Sequence, residues 1–97
     1  MQIKELRDGM KRVNIEATVV EKGTPRQVMS RYKEETLSVA DAKVADESGS
    51  IKLTLWNEQI ALVNVDDKIR VENGYITSYK GEIQLNIGKF GKLTVNP

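Results

Sequence analysis

Three aromatic residues are spaced so that they share strand faces with polar side chains. In Ile51-Lys52-Leu53-Thr54-Leu55-Trp56 the apolar parity runs through 51, 53 and 55, which leaves Trp56 beside Lys52 and Thr54. In Tyr75-Ile76-Thr77-Ser78-Tyr79 both tyrosines fall with Thr77, and Ile76 takes the opposite side. Side chains alternate across a strand, so three large rings are held on polar faces. That much apolar surface ordinarily belongs in a core. Displayed beside a cation and hydroxyls, the rings make a platform on which something flat can stack. Nucleic-acid bases are the first candidate, at about 1–3 kcal/mol per stacked base and without demand for a particular sequence.

Other chemistries lack the residues they need. The chain has no Cys and no His. This removes disulfides, thiolate zinc sites, Cys–His and Ser–His nucleophiles and the commonest transition-metal ligand. Asp46-Glu47 and Asp66-Asp67 are adjacent carboxylates, whose side chains point apart, and they read as solvated turn residues. Gly88-Lys89-Phe90-Gly91-Lys92 is glycine-rich but lacks the spacing of a phosphate loop and opens no helix. No enzymatic activity, cofactor or metal is expected. The net charge is only +1, from 15 basic and 14 acidic residues, which argues against holding DNA by bulk charge. Local basicity is another matter. Lys22, Arg26, Arg31 and Lys33 crowd one segment before Glu34 and Glu35 interrupt it, although a solvated loop has the same composition. The charged N-terminus carries no apolar signal stretch and no segment approaches membrane-spanning length, so a cytoplasmic chain without a membrane partner is expected.

The elements that must position the rings are strands. Period-2 alternation dominates the 97 residues, which suit one domain, 1–97, with a modest core. Val13, Ile15, Ala17 and Val19 alternate with polar residues in a strand over 12–22, ended by Gly23-Thr24-Pro25. Residues 24–34 read as a polar connection. A second strand over 35–46 shifts its apolar parity from Leu37 and Val39 to Ala40, Ala42 and Val44, predicting a bulge near 39–41. Asp46-Glu47-Ser48-Gly49 turns into a third strand over 50–56. Residues 57–63 form the best helical segment, with Asn57 as its cap and Ile60, Leu62 and Val63 inward. A fourth strand over 68–79 bends at Asn73-Gly74, and Lys80-Gly81 makes a hairpin into a fifth over 82–87. Phe90 is expected to pack on the barrel, and 93–95 to add a short pairing.

Five strands with a short helix between strands 3 and 4 and a long first loop fit an all-β Greek-key barrel, the OB-fold. An SH3-like barrel accounts less well for the apolar segment 57–63. Closure would bury Ile51, Leu53, Leu55, Ile69, Val71, Ile83, Leu85 and Ile87 together. If strands three to five lie side by side, their outward residues gather on one surface: Lys52, Thr54, Trp56, Tyr75, Thr77, Tyr79, Gln84 and Asn86, with Glu82 at the margin. A structural role competes at each ring. Trp56 could plug a barrel end, and Tyr75 follows a bend that obscures its parity. Tyr32 in the long loop could close over a ligand, although loop tyrosines are often incidental.

Three stretches carry a resemblance. Val44-Ala45-Asp46-Glu47-Ser48-Gly49-Ser50-Ile51-Lys52-Leu53-Thr54-Leu55-Trp56 is similar to the strand 2–3 hairpin of archaeal single-stranded DNA-binding proteins, relatives of replication protein A and of the B subunit of the eukaryotic single-stranded-DNA sensor complex. The hairpin Val71 to Asn86 and the N-terminal segment Ile3 to Val13 resemble the same family, so the likeness covers most of the chain, with 24–34 the least alike. It implies base stacking at Trp56, Tyr75 and Tyr79. Eukaryotic relatives carry a further aromatic where this chain has Asn86. Family members often continue into a flexible tail, whereas this sequence stops at Pro97, which suits a domain cut from a longer multi-OB chain.

The expected function is single-stranded DNA binding with little sequence preference, in replication or repair. Trp56, Tyr75 and Tyr79 would stack bases. Lys52, Lys80, Arg26, Arg31 and Lys33 would meet phosphates, and Thr54, Thr77, Gln84 and Asn86 would make polar contacts. Expected partners are single-stranded DNA, other replication or repair proteins and further OB domains. An RNA-binding OB-fold and a protein-interaction OB domain are the alternatives, because stacking faces alone do not distinguish sugars and exposed rings also make hot spots.

Overall fold

A computed structural model describes residues 1–29, 36–88 and 90–96. Seven strands follow a 3-10 turn at Ile3–Glu5: β1 (Lys11–Lys22), β2 (Arg26–Met29), β3 (Thr36–Asp46), β4 (Gly49–Trp56), β5 (Lys68–Tyr79), β6 (Glu82–Asn86) and β7 (Lys92–Val95). A short helix, α1 (Glu58–Leu62), separates β4 from β5. The sheet runs β1-β3-β4-β6-β5, and β1 pairs again with β5, so five strands close an OB-fold barrel. β2 extends β3 at one edge and β7 extends β5. The helix therefore lies between the third and fourth barrel strands, as the sequence predicts. Among the described residues no helix is long and apolar enough to cross a membrane.

Alternation builds the core. Val13, Ile15, Ala17 and Val19 of β1 face Ala40, Ala42 and Val44 of β3, Ile51, Leu53 and Leu55 of β4, and Ile69, Val71 and Ile76 of β5. Leu85 and Ile87 fill the β6 side, with Ile83 partly buried. Each fully buried Val, Leu or Ile among them contributes about 1.5–3 kcal/mol on leaving water. The N-terminal turn caps one end through Ile3 and Leu6.

Several local expectations are corrected. Part of the 24–34 connection is strand: Arg26 pairs with Val39 and Met29 with Thr36. No bulge occurs at 39–41, where the registers of β3 with β2 and β4 run unbroken. The parity change there arises because Val39, at 3% exposure, is covered on the outer face between Arg26 and Trp56. The extra residue sits in β1 at Val20, where the register passes from Val19↔Val44 to Glu21↔Lys43. Asn57 precedes α1 at φ 49° without capping it. Its side chain instead accepts from the Ser38 N–H at 3.1 Å. Ile60 and Val63 are buried, but Leu62 is exposed, since a helix this short presents only one inward stripe. Phe90 is 81% exposed rather than buried against the barrel, because it follows β6 outside the alternation that fills the core.

The predicted bend in β5 is present. Val13 pairs with Gly74 and Ile15 with Val71, leaving an extra residue on β5. Asn73 takes φ 56°, and its N–H donates to Asn14 Oδ1 at 2.9 Å. A Cβ on Gly74 would stand 2.9 Å from the Asn86 carbonyl and 3.0 Å from Val71 Cγ1, so only glycine lets β5 approach β6 here. Gly74→Ala should lower stability by about 1–3 kcal/mol in chemical denaturation, because backbone and core must shift to admit the methyl group.

Asp46 is more than a turn residue. Its carboxylate accepts from the Ile3 N–H at 2.9 Å, the Ser48 N–H at 2.7 Å and the Ser48 hydroxyl, tying the chain's start to the β3–β4 hairpin. The Ser48 hydroxyl, foremost, and then the backbone N–H groups of Ile3, Ser48 and Gly49 hold its pKa below the ordinary value, against the opposing effect of desolvation. A lowered folded pKa adds stability above the unfolded value of about 3.9, and that stability is lost as pH falls through the folded pKa. Asp46→Asn should lower the melting temperature at pH 7, and the deficit should shrink below about pH 4 as the wild-type carboxylate protonates.

Candidate nucleic-acid interface

The register of β4, β6 and β5 assembles the surface. Thr54 pairs with Asn86, and Asn86 with Tyr75, forming one row across the sheet. Lys52, Gln84 and Thr77 form the next row, and Tyr79 lies opposite Glu82 beyond it. Directly opposed residues share a face, so seven sequence-predicted residues stand together on the outer side of the barrel, and Trp56 shares the parity of Lys52 and Thr54 at the end of β4. β6 lies in the middle of the three strands, paired in parallel with β4 and antiparallel with β5.

The rings are accessible. Trp56 is 37% exposed, Tyr75 40% and Tyr79 63%, while their neighbours Leu55 and Ile76 are buried. Each ring is placed by backbone chemistry. The Trp56 N–H donates to Gln59 Oε1 of α1 at 3.0 Å, which fixes the end of β4. Asn57 and Ser38 exchange two hydrogen bonds just beyond it. Tyr75 follows the Asn73-Gly74 bend and faces outward, and a Cβ on Gly88 would come within 3.0 Å of its ring. Glycine there gives the ring a flat backbone surface to lie against. Tyr79 ends β5, where Lys80 Nζ sits 5.3 Å from the ring centroid, within cation–π range.

The polar residues divide. Asn86 Nδ2 donates to Thr77 Oγ1 at 2.9 Å, so these two side chains orient each other. Thr54 is only 7% exposed and forms the floor of the face. Arg26 joins the face from β2 by pairing with Val39, itself opposite Trp56. Its guanidinium lies 3.4 Å from Asp41, and both side chains are partly exposed. Arg31, Lys33 and Tyr32 lie outside the described residues.

Sequence reasoning missed the contribution of β3. Asp41 stands opposite Thr54, and Lys43 opposite Lys52. Both carry outward parity among Ala40, Ala42 and Val44, so the alternation was a usable signal. The tight turn at Asp46–Gly49, which sets β3 beside β4, was the second signal.

The geometry is that of a shallow stacking surface edged by cations. Residues 6–95 match the family model described as single-stranded DNA binding protein Ssb-like, OB fold. The chain is 33% identical over 92 residues to the single-stranded DNA binding protein Ssb of Saccharolobus solfataricus, covering 95% of this chain and 61% of that protein. It is 28% identical to replication factor A of Methanothermobacter thermautotrophicus, over 99% of this chain but 12% of that protein. In a replication protein A heterotrimer bound to single-stranded DNA, one chain superposes with a TM-score of 0.82 at 15% identity, over 100% of this chain and 24% of that one, a likeness of fold alone. The chain thus spans less than two thirds of the curated relatives it matches. By the extent of the family match, it belongs to the Ssb-like OB-fold family of single-stranded DNA-binding proteins.

Proposed function

We propose that the β4–β6–β5 face binds single-stranded DNA with little sequence preference, protecting unwound strands in replication or repair. One observation carries the reading: three large rings are partly exposed on one continuous face whose opposite side is closed core. Every base offers a π-face, so stacking on Trp56, Tyr75 and Tyr79 is tolerant of sequence. Lys52, Lys80 and Arg26, together with Arg31 and Lys33, supply charge for phosphates, and Thr77, Gln84 and Asn86 supply hydrogen bonds. The reading is non-catalytic. The relatives exceed this chain in length, so linkage to further modules would raise affinity through effective concentration.

Removing two exposed rings tests stacking without opening the core. The double variant Trp56→Ala with Tyr79→Ala should lose about 2–6 kcal/mol of affinity for oligothymidine, measured by titration calorimetry, if the two contacts add. A folded double variant that binds as well as the wild type would sink the stacking role.

Lys80 offers a second test. It and Gly81 form the two-residue β5–β6 turn with φ 52° and 83°, a combination that favours Asn-Gly over Lys-Gly. Lys80→Asn should therefore raise stability by up to about 1 kcal/mol. If Lys80 meets a phosphate, the same change should reduce the salt dependence of binding by about 0.7 in the log–log slope.

A further inference from the structure

Beside the rings lies a cavity of about 630 Å3 between the end of β1, the middle of β3 and the first residues of β4 and β6. This is well within the range of about 300–1,000 Å3 typical of small-ligand sites. Its lining contains no aromatic residue, so it is not another stacking platform. Three lysines (Lys22, Lys43 and Lys52) and three carboxylates (Glu21, Asp41 and Glu82) line it.

The charges are arranged unusually. Lys43 and Lys52 are direct cross-strand partners. Like charges placed opposite each other in a sheet are destabilising. Glu21 of β1 stands opposite Lys43 on its other side, but neither lysine closes an ion pair, since the pairs among the described residues are Arg26–Asp41 and Arg70–Glu16. Two residues along β3, on the same face, Asp41 holds only a 3.4 Å contact with Arg26. Both partners are substantially exposed, at 58% and 34%, so the pair is weak and replaceable. A bare phosphate would suit the lysines and be repelled by Asp41. A nucleotide presents both features required, an anion at one end and N–H donors at the base edge.

We propose that this cavity is a nucleotide subsite beyond the stacking rings, in which Lys43 and Lys52 hold a phosphate and Asp41 accepts hydrogen bonds from the base edge. The inference rests on the single-stranded DNA reading and refines it at one position. An ionised carboxylate only accepts. Guanine offers two adjacent donors, N1–H and N2–H, and cytosine offers its amino group. Thymine offers one imino N–H flanked by two carbonyl oxygens that the carboxylate repels. The strand is therefore read weakly at this subsite, guanine or cytosine over thymine, while the rings remain indifferent.

The test uses oligothymidine carrying a single guanine moved stepwise along its length. At one position the wild type should bind at least about fivefold more tightly than it binds plain oligothymidine. Asp41→Asn should erase that difference. Lys43→Gln should weaken both oligomers alike at low salt, by removing a phosphate-facing charge that Asp41 does not share. Equal affinity for guanine and thymine at every position would overturn the proposal. So would an Asp41→Asn variant that tightens all sequences equally, since the carboxylate would then merely repel the backbone. If plain oligothymidine fails to bind the wild type, the stacking reading itself falls, and that failure is distinct from a loss of discrimination among oligomers that bind.

Discussion

The parallel pairing of β4 with β6 is the constraint on which the rest of the molecule depends. It spans only Lys52–Gln84, Leu53–Leu85 and Thr54–Asn86, yet it joins the β3–β4 hairpin to the β5–β6 hairpin. Parallel neighbours cannot be linked by a tight turn and need a long crossover. Here α1 and the whole of β5 supply it. The central pair, Leu53 and Leu85, is fully buried, so hydrophobic burial holds the seam together from inside. The flanking pairs, Lys52–Gln84 and Thr54–Asn86, point outward and are themselves part of the proposed binding surface. One short seam thus closes the core and aligns the face.

That dual role explains which features were legible beforehand. The strands, the inward set and the outward parity of Trp56, Tyr75 and Tyr79 follow from period-2 alternation, a local property. The Asn73-Gly74 bend and the Lys80-Gly81 turn were equally readable, because residues that tolerate positive φ are few. The order of strands was not. The sequence alone does not say that β6 sits between β4 and β5. Asp41 and Lys43 were overlooked because the outward set was read from strands three to five alone, although the Asp46–Gly49 turn sets β3 beside β4. Val39 misled because a strand covered on both faces shows the same apolar run as a strand with a bulge. Asn57 misled because its type suits a cap, and the structure spends its side chain on Ser38 instead.

Local preference and global fold agree over most of this chain and part company mainly at the proposed binding face. Lys80 occupies a turn position that favours asparagine or glycine, and two lysines oppose each other across β3 and β4. Three rings forgo complete burial. Each departure carries a cost in the free protein and faces the same surface, where a ligand could offset it. Such clustering is what a functional site superimposed on an otherwise consistent fold leads one to expect. Asp46 shows the contrast. Equally polar and adjacent to a tight turn, it is fully engaged by hydrogen bonds within the chain and lies off the face.

The second closure of the barrel, β1 on β5, has a consequence for how the chain reaches its fold. Pairs such as Ile15–Val71 and Ala17–Ile69 join residues separated by more than half the sequence. The N-terminal turn likewise waits for the hairpin at Asp46 and Ser48 before its N–H groups find acceptors. Contacts this distant must be made against loop-closure entropy before they yield stability, which places barrels of this kind among domains that fold in about milliseconds to seconds. During synthesis β1 emerges first but finds its second partner late. Until β5 follows, Val13, Ile15 and Ala17 present an apolar strand with one edge unsatisfied. The alternation of Asn14, Glu16 and Thr18 along that strand then serves a transient purpose, keeping its other face wet and soluble while it waits.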